Sequence, residues 1–279
     1  MKNNLAFLFT FLFSCILLAQ DTYLHCGKIV DAQTGTFIPV NKGDGKSIDV
    51  SSLKPGIYSV FVDNESDNYW IASPKVSFVL LGDGLSLAMT LLTTILIPVI
   101  IFSSFGNKFN NSKNFYSLVL FMAFAMVGTF LAADGLLYYI FWELALIPIY
   151  FIALIWGNGD ADERKKAVVK FFIYTLAGSL FMLIAFAYLY TKAGSFMLKD
   201  LYNLNLSNQE QFWIFFAFFL AYAIKIPIIP FHTWQAKVYQ KAPTVGTMLL
   251  SGIMLKMGLY SIIRWQLPIA PDAAKEYMP

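Results

Sequence analysis

The sequence predicts an all-α polytopic membrane protein: a helical bundle of about six transmembrane helices, one of them broken by proline, preceded by a short polar β-prone segment. Three observations carry this. Of 279 residues, 58% are hydrophobic and only 13% charged, against about 25% charged in soluble domains. Apolar runs near the roughly 20 residues that a spanning helix needs recur from residue 78 onward. The stretch before them is polar and rich in turn residues instead. A net charge of +3 is too small to suggest nucleic acid as a partner, and the lipid bilayer is the partner that the composition demands. The two cysteines, Cys15 and Cys26, form no disulfide framework and no metal spacing.

Residues 1–20, MKNNLAFLFTFLFSCILLAQ, begin with Lys2 and run apolar from Leu5 to Ala19. The run is short for a span and fits a secretory signal, with an uncleaved anchor as the alternative. Residues 21–75 are an exported polar segment and a candidate small β unit. Lys28–Val30 and Ile57–Val62 are the strand candidates, with turns at Gly43-Asp44-Gly45 and Pro55-Gly56. His25 beside Cys26 has no further ligand types near it and is read as chance. An exported binding module tethered by an anchor would explain this half but leaves the membrane half without purpose.

Six spans follow: 78–104, 114–132, 135–157, 168–191, 212–231 and 245–263. The joint at Ala133-Asp134 is so short that the second and third spans must be antiparallel neighbours. Lys108, Lys113, Arg164, Lys165, Lys166, Lys237 and Lys241 fall on one side; Lys75, Lys192, Lys199, Arg264 and Lys275 fall on the other. The positive-inside rule then makes loops 105–113, 158–167 and 232–244 cytoplasmic and places 21–75 outside. Gly246, Ser251, Gly252 and Gly258, with Ala177, Gly178 and Ser179, are small residues that let helices approach.

The stretch Phe212–Trp234, FWIFFAFFLAYAIKIPIIPFHTW, holds Lys225 inside an apolar run, followed by Pro227 and Pro230. A lysine at mid-membrane costs roughly 2.5–3.5 kcal/mol on insertion scales. The prolines remove two N–H donors, freeing the carbonyls of Ala223 and Ile226. A helix broken beside a buried cation is the arrangement of an ion-handling site. Glu143 lies eight residues into its span, about 12 Å deep at 1.5 Å per residue. Lys256 lies eleven residues into the last span. A carboxylate beside an ammonium keeps both charged, and separating them drives the lysine toward neutral, so Glu143, Lys225 and Lys256 together suit a proton relay. His232, just past the break, is a weaker candidate for passing protons to the cytoplasmic side. The bland readings are a snorkelling lysine and a static ion pair that fixes packing. No phosphate loop, dinucleotide fingerprint, haem or iron–sulfur spacing is present, so no redox cofactor is expected on this chain.

GDGLSLAMTLLTTILIPVIIFSSF (82–105), FWELALIPIYFIALIWG (141–157), KFFIYTLAGSLFMLIAF (170–186), KIPIIPFHTWQ (225–235) and APTVGTMLLSGIMLKMGLYSIIRW (242–265) occur in order. Together they resemble the antiporter-like, proton-translocating subunits of respiratory complex I, the NADH–quinone oxidoreductase, in their M-type form. Homologous subunits of multisubunit cation/proton antiporters share the pattern. The resemblance covers roughly Ser73 to Pro268. It implies that 76–266 is an antiporter-like transmembrane domain, one five-helix repeat plus a preceding helix. It also implies proton translocation in a bacterial inner membrane, driven by quinone reduction elsewhere in the complex. NADH, FMN, iron–sulfur clusters and quinone would then lie on partner subunits, and the partners would be other membrane-arm subunits. The family's paired glutamate and broken-helix lysine match Glu143 and Lys225, and its next lysine matches Lys256. The family carries a second, inverted copy of the repeat; here 267–279 reads as a tail at a truncation point, with the release half of the relay expected on the second copy. Gln235-Ala236-Lys237 stands where the family has proline and aspartate after HTW. The alternative functions are a cation/proton antiporter subunit, or a non-functional fragment or fusion.

Overall fold

The structure is a computed structural model that describes residues 28–31, 37–38, 58–62, 70–71, 73–107 and 109–277. The expectations for residues 1–20, and those for Cys15, His25 and Cys26, lie outside the described residues.

Among the described residues, four short strands make one antiparallel sheet in the order β2-β1-β3-β4: β1 (Lys28–Asp31), β2 (Phe37–Ile38), β3 (Tyr58–Val62) and β4 (Leu80–Gly82). The two predicted strands are therefore present, with Ile29 opposite Val60. β4 is the unforeseen partner. Residues 80–82, read as the start of the first span, pair with β3 and touch Ala132 instead. The span begins at Gly84 because Asp83 caps it. The Asp83 carboxylate accepts from the Ser86 N–H at 2.9 Å and the Ser86 hydroxyl oxygen accepts from the Asp83 N–H at 2.9 Å, a reciprocal capping box.

Five helices are long and apolar enough to cross a membrane by length and composition, among the described residues. They are α1 (Gly84–Ser103), α2 (Ser112–Leu131), the pair α3 (Gly135–Leu144) and α4 (Leu146–Trp156) read as one span, α5 (Ala161–Ala193) and α9 (Thr244–Ile269). At about 1.5 Å per residue, α1 and α2 are about 30 Å long, the thickness of a hydrocarbon core. The Asp134 carboxylate caps α3 through the N–H groups of Leu136 and Leu137 and also accepts from Ser77 N. α5 starts seven residues earlier than the predicted 168, at Ala161, because Asp160 caps it through Asp162 and Glu163 N–H at 3.0 Å. Those N–H donors hold the Asp160 carboxyl below its ordinary range.

The predicted 212–231 span is the helix α7 (Asn208–Lys225), packed along α5 after the short α6 (Leu198–Tyr202). Its polar first turn, Asn208-Gln209-Glu210-Gln211, keeps it out of the five helices that are long and apolar enough to span. A 3₁₀ turn (Phe231–Trp234), α8 (Gln235–Lys241), α9 and α10 (Pro271–Tyr277) complete the chain.

The loops sort into two ends. At one, the Trp156 indole donates to Asn110 O (2.6 Å) and Asn158 N to Lys241 O (2.6 Å). Arg164 donates to the carbonyls of Leu154, Gly157 and Gly159 there. At the other, beside the sheet, Ala133 N donates to Val79 O, Gly135 N to Phe196 O and Leu198 N to Ala133 O. Trp142, Trp234, Trp265, Tyr138 and Tyr222 are fully buried between the helices, while Leu91, Ile95, Val99 and Phe102 face outward on α1. An apolar exterior around a core of aromatics and small residues is what lipid surroundings favour.

Candidate functional site

Both helices that carry a buried charge next to proline are broken at that charge. α7 ends at Lys225, and the carbonyl released by Pro227 finds a new donor. Pro227 has no N–H for the Ala223 carbonyl, which accepts from Ile228 N at 2.8 Å instead. That leaves Ile224 O, and the Trp234 indole N–H takes it at 2.9 Å. Trp234 therefore folds the 3₁₀ turn back onto the end of α7. Lys225 occupies the last turn, where terminal carbonyls favour a cation.

The span predicted as continuous over 135–157 is likewise two helices. It breaks at Ala145, one helical turn before Pro148, which has no N–H for Leu144 O. Glu143 sits in the final turn of α3, two residues before that break. The proline was visible in FWELALIP, and its effect on the glutamate helix was not read from it.

Lys225 is 2% exposed. Its Nζ has no hydrogen-bond partner and stands 4.9 Å from the centre of the Trp142 ring, a cation–π contact. Glu143 is partly buried, with Oε1 fully enclosed and without a hydrogen-bond partner. The two groups are near enough to act on each other through charge, and the Ser179 hydroxyl lies beside the Glu143 carboxyl. No hydrogen bond or ion pair joins Glu143 to Lys225; in place of the expected direct pair, the Lys225 ammonium stands over the Trp142 ring. Gly178 permits this closeness: a Cβ there would come within 2.8 Å of Ile224 Cδ1.

Lys256 is bonded to neither Glu143 nor Lys225. Its Nζ donates to Ser251 O, within its own helix. α9 is not regular: π-turns at Leu250–Met254 and Ile262–Gln266 flank the seven residues that carry Lys256. Such turns cluster at functional sites, and no periodicity in the sequence announced them. Gly258 presses α9 against the break, since a Cβ there would meet Ile226 Cγ1 at 2.5 Å. Among the other small residues, Ala177 faces outward, whereas Ser179 and Gly246 are buried. His232 is exposed on the 3₁₀ turn, away from Glu143 and Lys225.

One charged pair went unread in the sequence. Arg264, 9% exposed, bonds both carboxylate oxygens of Asp83 through Nη2. Its Nε donates to the Tyr260 hydroxyl at 3.2 Å, and that hydroxyl donates to Phe130 O at 2.7 Å. The pair links α1 to α9 beside the sheet. A charge near each end of an apolar run looks like an ordinary boundary signal, which concealed it. Among the described residues no group of His, Cys, Asp and Glu is placed to hold a metal.

Fold and site together define a polytopic helical membrane protein with ionisable groups at broken helices. Residues 132–278 match the family model described as NADH:quinone oxidoreductase/Mrp antiporter, transmembrane, and the chain belongs to that family. It is 36% identical over 224 residues to NADH-quinone oxidoreductase subunit M of Escherichia coli K12, covering 77% of this chain and 44% of that one. It is 36% identical over 210 residues to NADH-ubiquinone oxidoreductase chain 4 of Arabidopsis thaliana, covering 75% and 42%. The chain thus spans less than half the length of these relatives. A chain of respiratory complex I from Thermus thermophilus superimposes with a TM-score of 0.63 at 30% identity, covering 71% of this chain and 41% of that one. The Mrp complex from Dietzia shares the fold, with a TM-score of 0.68 at 21% identity, covering 75% and 24%.

Proposed function

We propose that this chain is a proton-translocating membrane-arm subunit, or part of one, of an NADH–quinone oxidoreductase in a bacterial inner membrane, with loops 105–113, 158–167 and 232–244 on the cytoplasmic side. The observation that carries this is the facing of Glu143 and Lys225 at two helix breaks, each with an enclosed, unpartnered polar atom. Buried ionisable groups without fixed partners are poor stabilisers, and proton exchange gives them a purpose.

The chemistry uses this chain's own groups. Glu143 receives a proton on its enclosed, unpartnered carboxylate oxygen. Losing that negative charge weakens the hold on the Lys225 ammonium, which can then release its proton. Trp142 offers the ammonium a π face, so the cation stays stable without being locked into an ion pair. Lys256 is the next station, freed by breaking its bond to Ser251 O. His232 lies on the exposed side, suited to exchange with water. Other membrane-arm subunits are the partners, and NADH, FMN, iron–sulfur clusters and quinone act on partner subunits. The family description also names Mrp antiporters, so a cation/proton antiporter subunit is the second reading.

The test is proton uptake per NADH oxidised in native membranes containing the assembled complex with Glu143→Ala. Loss of one positioned proton-transfer group should lower translocation at least about a hundredfold relative to complex content. Undiminished uptake contradicts the role of Glu143. Purification without NADH-oxidising partners, together with sodium-dependent proton exchange, favours the second reading.

A further inference from the structure

Beyond Glu143 and Lys225, buried hydroxyls gather on the β-sheet side of Lys225. Tyr222 precedes Lys225 by three residues on α7. Its ring lies 5.8 Å from the Trp142 ring, the same ring that Lys225 Nζ approaches to 4.9 Å. Its hydroxyl is fully enclosed and, like Lys225 Nζ, has no hydrogen-bond partner. That hydroxyl faces Tyr138 on α3. The Tyr138 hydroxyl is hydrogen-bonded to Ser261 Oγ on α9, and its ring packs 5.8 Å from Trp142 and 4.9 Å from Trp265. Tyr222, Tyr138 and Ser261 have no solvent exposure. One turn further along α9, Arg264 holds Asp83 and bonds the Tyr260 hydroxyl.

Packing does not require these hydroxyls. Phenylalanine fills the space of tyrosine, and an enclosed hydroxyl without a partner is costly. Three hydroxyls in series, beginning beside an unpartnered ammonium, suit a transfer chain, because each has one proton to give and lone pairs to receive another.

We propose that Tyr222, Tyr138 and Ser261 form a hydroxyl relay that carries protons between Lys225 and the β-sheet side of the bundle. The proposal rests on Lys225 exchanging protons, as set out above. A proton leaving Lys225 Nζ binds the Tyr222 oxygen while Tyr222 passes its own proton to Tyr138. Tyr138 passes its proton to Ser261, whose own proton turns from the Met257 carbonyl to a water entering from the β-sheet side. Each oxygen ends with one proton, and Lys225 ends neutral. The first step needs Lys225 to swing off the Trp142 ring, or a single water between Nζ and the Tyr222 oxygen.

The experiment measures proton uptake per NADH oxidised by the assembled complex in native membranes, for Tyr222→Phe, Tyr138→Phe and Lys225→Ala. Ser261→Ala serves as a further variant should a tyrosine variant fail to assemble. The expected result is at least a twofold fall for each hydroxyl deletion, with complex content unchanged. Full uptake in the hydroxyl deletions, with uptake lost in Lys225→Ala, overturns the relay alone. Full uptake in Lys225→Ala as well overturns the reading on which it rests. Rings and shape are kept in the phenylalanine variants, so a purely structural role predicts no change.

Discussion

At the scale of single residues, charge without a fixed partner distinguishes Glu143 and Lys225, the groups we propose to exchange protons, from the Asp83–Arg264 pair. Lys225 and Glu143 each leave an enclosed polar atom unpartnered, whereas Arg264 spends its donors on Asp83 and Tyr260. The Asp83–Arg264 pair is thus a fastener between the first and last spans. Arg264→Gln leaves the Asp83 charge half-buried and uncompensated, a change that costs about 3–5 kcal/mol when a buried pair is broken from one side. Thermal aggregation of the detergent-solubilised complex should begin at lower temperature. Arg264→Lys keeps the charge but not the fork, and should recover only part of the loss. Equal stability of all three proteins would refute the fastening role. Glu143, Lys225 and Lys256 were legible in the sequence because a charge inside an apolar run is conspicuous. Trp142, Tyr222 and Ser179 were not, since an aromatic or a serine in such a run carries no signal until the neighbouring helix is known.

At the scale of elements, proline decides where helices stop, and the stops decide where the charges lie. Pro227 was read correctly from KIPIIP: α7 ends at Lys225, and the Ala223 carbonyl finds a new donor. Pro148 acts the same way on α3 and α4, yet the run around it is so apolar that one continuous span was expected. The start of the first span was misplaced for a similar reason. Leu80-Leu81-Gly82 is apolar enough for a helix but pairs with β3, a contact set by a strand about twenty residues earlier. The π-turns of α9 had no sequence signature, because they arise from how the helix packs. Gly258 is the contact on which that packing turns. Gly258→Val would drive Ile226 away from α9 and overpack the break, costing about 1–3 kcal/mol. The variant complex should assemble in lower yield and lose translocation, while Gly252→Val, with only Leu96 at 3.6 Å, should be tolerated. Equal effects from both would show that close approach at the break is unimportant.

At the scale of the whole molecule, the bundle keeps two unlike ends and a central plane where broken helices meet. The loops expected to share a side do share an end, tied by Trp156, Asn158 and Arg164. The sheet covers the other end through β4 and the Val79–Ala133 contact. Between them, Lys225 at the end of α7 is buried against the Trp142 ring of α3, and Glu143 on α3 keeps one carboxylate oxygen enclosed. The central claim is that Lys225 is a step in proton transfer. It is tested most directly by acidification of the medium during NADH oxidation, in native membranes carrying the assembled complex with Lys225→Ala. Translocation reduced at least about a hundredfold per assembled complex is the expected result. Acidification at the unmodified rate, with alanine at 225 and the complex intact, would contradict it.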